Sequence, residues 1–317
     1  MGGFLGALGG KLAERWLTLL VLPGALFLAA ATSAHTLGQS HSLDYQRLTA
    51  QITQWAKTPA ATTLGGQVVL VAAVLAGSAA VGLVAQALGT LVQRITLAAD
   101  WRAWPRPSRW LARWRVTRRH ARWSTAARRY EQHRHAAALA LAHGNPIDSA
   151  PRHTARRAMT RIGLEAPDRP TWSGDRIHAT AVRLDRDHHL DLPSLWPHLW
   201  LTLPDPVRTE ITTAGQALTR ATTLGGWALL YASLTGWWWP AAPLAIVLAL
   251  TAWQRTRTAT DTYAQLLEAA TRLHTRDLAD QLGIPRTGPL DPAIGDALTH
   301  LLNTRLPPPP IGTSPPS

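Results

Sequence analysis

Apolar residues in this chain gather into three long blocks, 16–34, 64–92 and 224–253, and the charges lie between and after them. A soluble core spreads its apolar positions at helical or strand period, so blocks of this length point to a bilayer. The first block, Trp16 to Ala34, holds no charge, and Lys11, Glu14 and Arg15 precede it. At about 1.5 Å per residue it crosses a hydrocarbon layer of roughly 30 Å. Pro23-Gly24 predicts a kink, which a membrane helix tolerates. A cleavable signal peptide competes for the same residues: the basic start, the apolar centre and the run Ala31-Thr32-Ser33-Ala34 suit it too.

The second block is uncharged from Leu64 to Val92 and longer than a span requires, so it can tilt. Small residues recur in it at four-residue spacing, Ser78 with Gly82 and Ala85 with Gly89. Such spacing lets helices approach closely in lipid. Packing within the chain is the first reading of this stripe, and dimerisation is the second. Gln67 and Gln86 offer hydrogen bonds to a neighbour. In the third block Trp237-Trp238-Trp239-Pro240 falls at the middle, where a single span would carry it to the bilayer centre. Tryptophan prefers the interface, so a hairpin is expected, with one helix over 221–239, a second over 241–255 and the Trp run at the turn. Each leg is short, which leaves a re-entrant hairpin open.

The expected fold is therefore mainly α: an α-helical integral membrane protein with four transmembrane helices in two hairpins and a helical cytoplasmic domain. Its segments are a cytoplasmic N-terminus (1–15), spans at 16–34, 64–92, 221–239 and 241–255, and an extracytoplasmic loop (35–63) with a helix over 46–56. An Arg-rich cytoplasmic domain (93–220), cytoplasmic helices (256–304) and a Pro-rich disordered tail (305–317) complete it.

Charge sets the orientation. The net charge is +13, and the only lysines are Lys11 and Lys57. Loop 35–63 has just Arg47 and Lys57 as basic residues, whereas 94–220 holds 22 arginines and Arg255 and Arg257 follow the last span. Positive charge near span ends stays inside, which places both termini and the 93–220 domain in the cytoplasm and the protein in the cell membrane. One hexamer, Ala61-Thr62-Thr63-Leu64-Gly65-Gly66, recurs at Ala221–Gly226. It hints at an inverted repeat of the transporter kind, although the similarity fades soon after.

The Arg-rich domain opens with 12 arginines between Arg94 and Arg134 against Asp100 and Glu131, interleaved with tryptophans. A helix is expected over 108–143, with Ser108 as N-cap. Trp110 and Trp114 share one face, and Arg109, Arg113, Arg118, Arg119, Arg122 and Trp123 surround them. Trp196 and Trp200 form a similar pair on a short amphipathic helix. These ten residues are the candidate lipid- or partner-binding set, with anionic membrane lipid headgroups first, an acidic protein partner or second copy next, and nucleic acid last, since no nucleic-acid-binding motif accompanies them. A turn-rich loop is expected over 144–170, then helices over 173–187, 258–282 and 292–302. The 258–282 helix carries a stripe of Tyr263, Leu266, Leu267, Ala270, Leu273, Leu278 and Leu282, a Glu268–Arg272 pair and a stop at Gly283.

The chemistry is sparse. There are no cysteines, which excludes disulfides, thiolate metal sites and thiol catalysis. No phosphate-binding loop, dinucleotide fingerprint, zincin motif or nucleophile elbow occurs. The run Asp185-Arg186-Asp187-His188-His189-Leu190-Asp191 reads as a solvated helix end, because neighbouring side chains diverge. No cofactor or metal is implied. The segment Leu195-Trp196-Pro197-His198-Leu199-Trp200, followed by Leu203-Pro204-Asp205, a polar helix and an apolar hairpin, resembles uncharacterised bacterial multi-pass membrane proteins over roughly 175–285. That resemblance implies a membrane fold and no activity. The expected function is non-enzymatic: a scaffold, or the membrane component of a larger system. An oligomeric channel or small transporter is the alternative.

Overall fold

The computed structural model describes residues 21–42, 44–58, 62–144, 146, 148–284 and 290–302. All regular structure among them is helical. The helices are α1 (Leu22–Leu37), α2 (Tyr45–Ala56), α3 (Leu64–Leu97), α4 (Arg106–Ala142), α5 (Ala150–Ile162), α6 (Trp172–His188), α7 (Leu192–Thr202), α8 (Asp205–Leu234), α9 (Ala241–Gln281) and α10 (Pro292–Leu302), with a 3-10 turn at Trp101–Ala103. The chain divides into two compact units, Met1–Ile95 with Leu218–Thr256, and Thr96–Ala217 with Arg257–Ser317. The expectations for 1–20 and 303–317 lie outside the described residues.

In the first unit, among the described residues, α3 is the helix long and apolar enough to cross a membrane, by length and composition. Only 17% of its apolar window is buried, whereas the core helix of a soluble protein would be mostly covered. Its buried residues are the small ones: Ser78, Gly82, Ala85 and Gly89. They form one stripe, against which other helices of the same unit lie. A Cβ on Gly24 of α1 would strike the Ser78 carbonyl, and one on Gly226 of α8 would strike the backbone at Ala85 and Gly89. Phe27 packs edge-on to Tyr231 at 5.3 Å, and Ala241 and Ala245 of α9 close the same cluster. Gln93 makes a polar contact between α3 and α8, its side-chain oxygen accepting from the Thr222 hydroxyl at 3.5 Å. Gln86 is exposed.

Helix α8 ends at Leu234, five residues before the expected Trp239. The turn therefore starts earlier, with the Trp237 and Trp238 amides bonded back to the Leu234 carbonyl. Trp237–Trp239 lie in the connection to α9, and the Trp238 indole donates to the Ser42 carbonyl at 2.9 Å. The two Ala-Thr-Thr-Leu-Gly-Gly copies sit in unlike surroundings: Ala221, Thr222 and Gly226 are buried, whereas Thr62 to Gly65 are exposed.

In the second unit, the core gathers leucines of α6, α7, α9 and α10, with Ile211 of α8. Helices α6 and α9 run parallel there. Arg176 pairs with Asp261 at 2.5 Å and, seven residues on in both helices, Arg183 pairs with Glu268. Gly295 brings α10 against the His188 carbonyl, where a Cβ would collide. The α9 stripe departs from expectation at two positions: Leu273 is 70% exposed and Leu282 is also exposed. Buried Thr271 and Thr275 take the places beside it, each hydroxyl donating to the carbonyl four residues back.

Two boundaries are corrected. Helix α4 begins at Arg106 rather than Ser108, because Pro107 sits in its first turn, where a missing N–H costs nothing. Ser108 instead donates to the Pro105 carbonyl. Segment 144–170 is not all loop: α5 occupies Ala150–Ile162, again with a proline in its first turn.

Candidate functional site

Helix α4 has two unlike faces. The inner one is anchored by residues expected at the surface. Arg119 reaches the Ile162 carbonyl at 2.9 Å and the Asp175 carboxylate at 2.8 Å. The Trp123 indole donates to the Gly163 carbonyl at 2.9 Å. Both pin the segment between α5 and α6. Asp175, in the first turn of α6 and 5% exposed, holds the same segment from the other end. Its Oδ1 accepts the backbone N–H groups of Asp168 (3.0 Å) and Arg169 (2.7 Å). Burial pushes the Asp175 carboxyl up to about 6, against the pull of Arg119 and those two amides. Burial likewise lowers Arg119, against the raising effect of Asp175. Desolvation thus outweighs the attraction within this pair.

The outer face of α4 brings Trp110, Arg113, Trp114 and Arg118 together, since their spacing follows the helical repeat. Trp110 is 71% exposed and Trp114 is 49% exposed. The Arg118 guanidinium lies over the Trp114 ring, 5.3 Å from its centroid. Arg122 is exposed beside them and Arg109 is half-buried. Trp196 and Trp200 of α7 do not join this face. They lie 5.7 Å apart, half-buried, against the leucine core.

The second unit also contains a cavity of about 400 Å³ that no sequence motif announces. Ile177, His178 and Ala181 of α6 form one wall, Leu192 and Trp196 of α7 a second, and Tyr263 of α9 a third. Arg169 stands at its edge, and Nη1 donates to the Ala98 carbonyl at 3.0 Å, closing the last turn of α3. Thr171 caps the same turn through the Thr96 carbonyl at 2.5 Å. Burial lowers the His178 imidazole, and the neighbouring Arg169 lowers it further. Burial raises the Tyr263 phenol. No sequence signal could have found these groups, because the segments that meet here, from Leu97 to Leu267, are far apart in the chain.

The Asp185–Asp191 run spreads outward. Asp187 pairs with Arg272 at 2.8 Å, and that hydrogen bond holds its carboxyl below the usual range. Arg186 pairs with Glu165 at 3.0 Å, and His188 Nε2 faces Arg272 at 3.3 Å. His189 turns away in a left-handed backbone conformation (φ 54°) toward Asp296 at 3.1 Å. Arg272 also pairs with Glu268 at 3.2 Å. Among the described residues, no three His, Cys, Asp or Glu side chains converge as a metal would need. No family model, curated protein or solved structure matches the chain.

Proposed function

We propose that this chain is a non-enzymatic integral membrane protein of the cell membrane. It has four spans, with both termini cytoplasmic, and presents a basic-aromatic face to anionic lipid headgroups. It would serve as a scaffold or as the membrane component of a larger system. The observation that carries this reading is the surface of α3, uncharged from Leu64 to Gln93 and apolar and uncovered along most of that length. The outer face of α4 supplies the second half. Exposed indoles suit the interface, and each arginine near an anionic leaflet contributes about 1 kcal/mol. Arg94, Arg102 and Arg106 lie close in sequence to the end of α3, where positive charge is retained inside. The small-residue stripe of α3, one of the two features behind the channel alternative, is met within the chain by Gly24 and Gly226. A protein partner on the α4 face would need the same exposed residues and is a competing outcome of the test.

The test replaces Arg109, Arg113, Arg118 and Arg122 by Gln and spares Arg119, which pins the fold. Hydrogen exchange over 106–122 is compared in nanodiscs of zwitterionic lipid with and without anionic lipid. Anionic lipid slows exchange in the native chain, and the slowing disappears in the variant. Equal exchange in both lipid compositions for the native chain refutes headgroup binding.

A further inference from the structure

We propose that the cavity of the second unit is a binding site for a single hydrocarbon chain bearing an anionic head, carboxylate or phosphate. This goes beyond the α4 face and uses none of its residues. The cavity is partly open to solvent and has about 400 Å³, within the roughly 300–1,000 Å³ of small-molecule sites. Water fills such a space poorly, because each molecule wants two to four polar partners, and Ile177, Ala181, Leu192 and Trp196 offer hydrocarbon and an indole face instead.

The polar groups at the cavity select the head. They are the guanidinium of Arg169, the imidazole of His178 and the phenol of Tyr263, and no Asp or Glu lines the cavity. A guanidinium beside an imidazole and a phenol, with no carboxylate in the lining itself, favours an anion over a cation or an uncharged polar group. Arg169 is held at the cavity by Nη1, which donates to the Ala98 carbonyl. The apolar walls then take the chain. Its site lies beside Leu97 and Ala99, at the end of the helix proposed to leave the membrane, where such amphiphiles concentrate.

The absence of cysteine from the chain supplies the assay. Ala181→Cys places a lone thiol in the cavity wall, and Ala121→Cys on the exposed side of α4 serves as control. Each full-length variant is placed in zwitterionic nanodiscs, and modification of its thiol by a water-soluble maleimide is followed by mass spectrometry. Oleate and lysophosphatidate represent the two head chemistries, and oleyl alcohol the chain without charge. The expected result is that an anionic probe slows modification at position 181 about tenfold and leaves modification at position 121 unchanged, while the alcohol needs roughly tenfold more to act. Protection by oleate alone assigns a carboxylate head, and protection by lysophosphatidate alone a phosphate head; both support the site. Absence of protection, or equal protection by the alcohol, overturns the proposal. Should Ala181→Cys fail to fold, the thermal midpoint of the native chain replaces it. Oleate raises that midpoint in the native chain and not in Ala181→Phe, which fills the cavity, and an equal rise in both overturns the proposal. The Gln variants of the α4 face keep full cavity protection, so failure of the lipid-face reading and failure of this one are distinguishable.

Discussion

Asp175 shows how one residue can organise a segment that has no secondary structure of its own. It accepts two amides of the loop before α6 and the guanidinium of Arg119 from α4. Its ordinary value is 3.8 and its folded value about 6, so the folded state binds the proton more tightly than the unfolded chain. The linked stability is fully present below the ordinary value and is lost as pH rises through about 6. The expected loss is on the order of 1–3 kcal/mol across that window. Unfolding of the native chain and of Asp175→Asn, compared between about pH 4 and pH 7, isolates it, because the other titrations cancel. The native chain gains relative to the variant as pH falls; a relative loss would mean that the ion pair, not burial, dominates. Neither Arg119 nor Trp123 could be separated in the sequence from the exposed arginines and tryptophans beside them. Residue type was legible there, but the direction each faces depends on where α5 ends.

At the scale of elements, the helix-forming pattern was readable wherever apolar residues recur along a face. It failed where they do not. Helix α5 has Met159 and Ile162 as its only large apolar residues and buries no residue. Pro146 and Pro151 read as loop punctuation, although Pro151 merely opens a helix. The hairpin at Trp237–Trp239 was legible from the preference of indole for an interface, but its starting point was not, because the end of α8 is set by backbone bonding to Leu234. The stripe on α3 was legible as close packing and ambiguous as to partner. Gly226 settles which helix approaches within the first unit, since its Cα lies against the Ala85 and Gly89 backbone. Gly226→Leu is expected to force α8 off α3 and to cost roughly 1–3 kcal/mol, as overpacking does. Gly65→Leu, with no atoms near its missing Cβ, is expected to stay within about 0.5 kcal/mol. Thermal midpoints in one lipid system compare the two, and equal losses would show that the hexamer copies are equivalent after all.

For the whole molecule, the decisive question is how the α8–α9 hairpin meets the bilayer. Its uncharged legs, 221–234 and 241–254, each rise only about 21 Å, short of a hydrocarbon layer of roughly 30 Å. Length alone therefore favours a hairpin that enters and returns without crossing. Bonding argues the other way. The Gln39 side chain donates to the Thr235 and Gly236 carbonyls at 2.9 and 3.1 Å, and the Trp238 indole donates to the Ser42 carbonyl. The turn is thus fastened to the stretch that follows α1, and both stand at one end of the first unit. If the proposed topology holds, that stretch is external and the turn with it, and local thinning of the lipid and the interfacial indoles would accommodate the short legs. Helix α2 shares that end. Tyr45, Leu48, Ile52 and Trp55 make one apolar stripe along it, and Tyr45, Ile52 and Trp55 are exposed, as an interfacial helix requires. Single cysteines at Thr53, Gly236 and His120 test the whole arrangement against an impermeant thiol reagent on intact cells. Thr53→Cys and Gly236→Cys are expected to react, and His120→Cys only after lysis. A reactive position 53 with a protected position 236 would make the hairpin re-entrant, and a reactive position 120 would invert the topology.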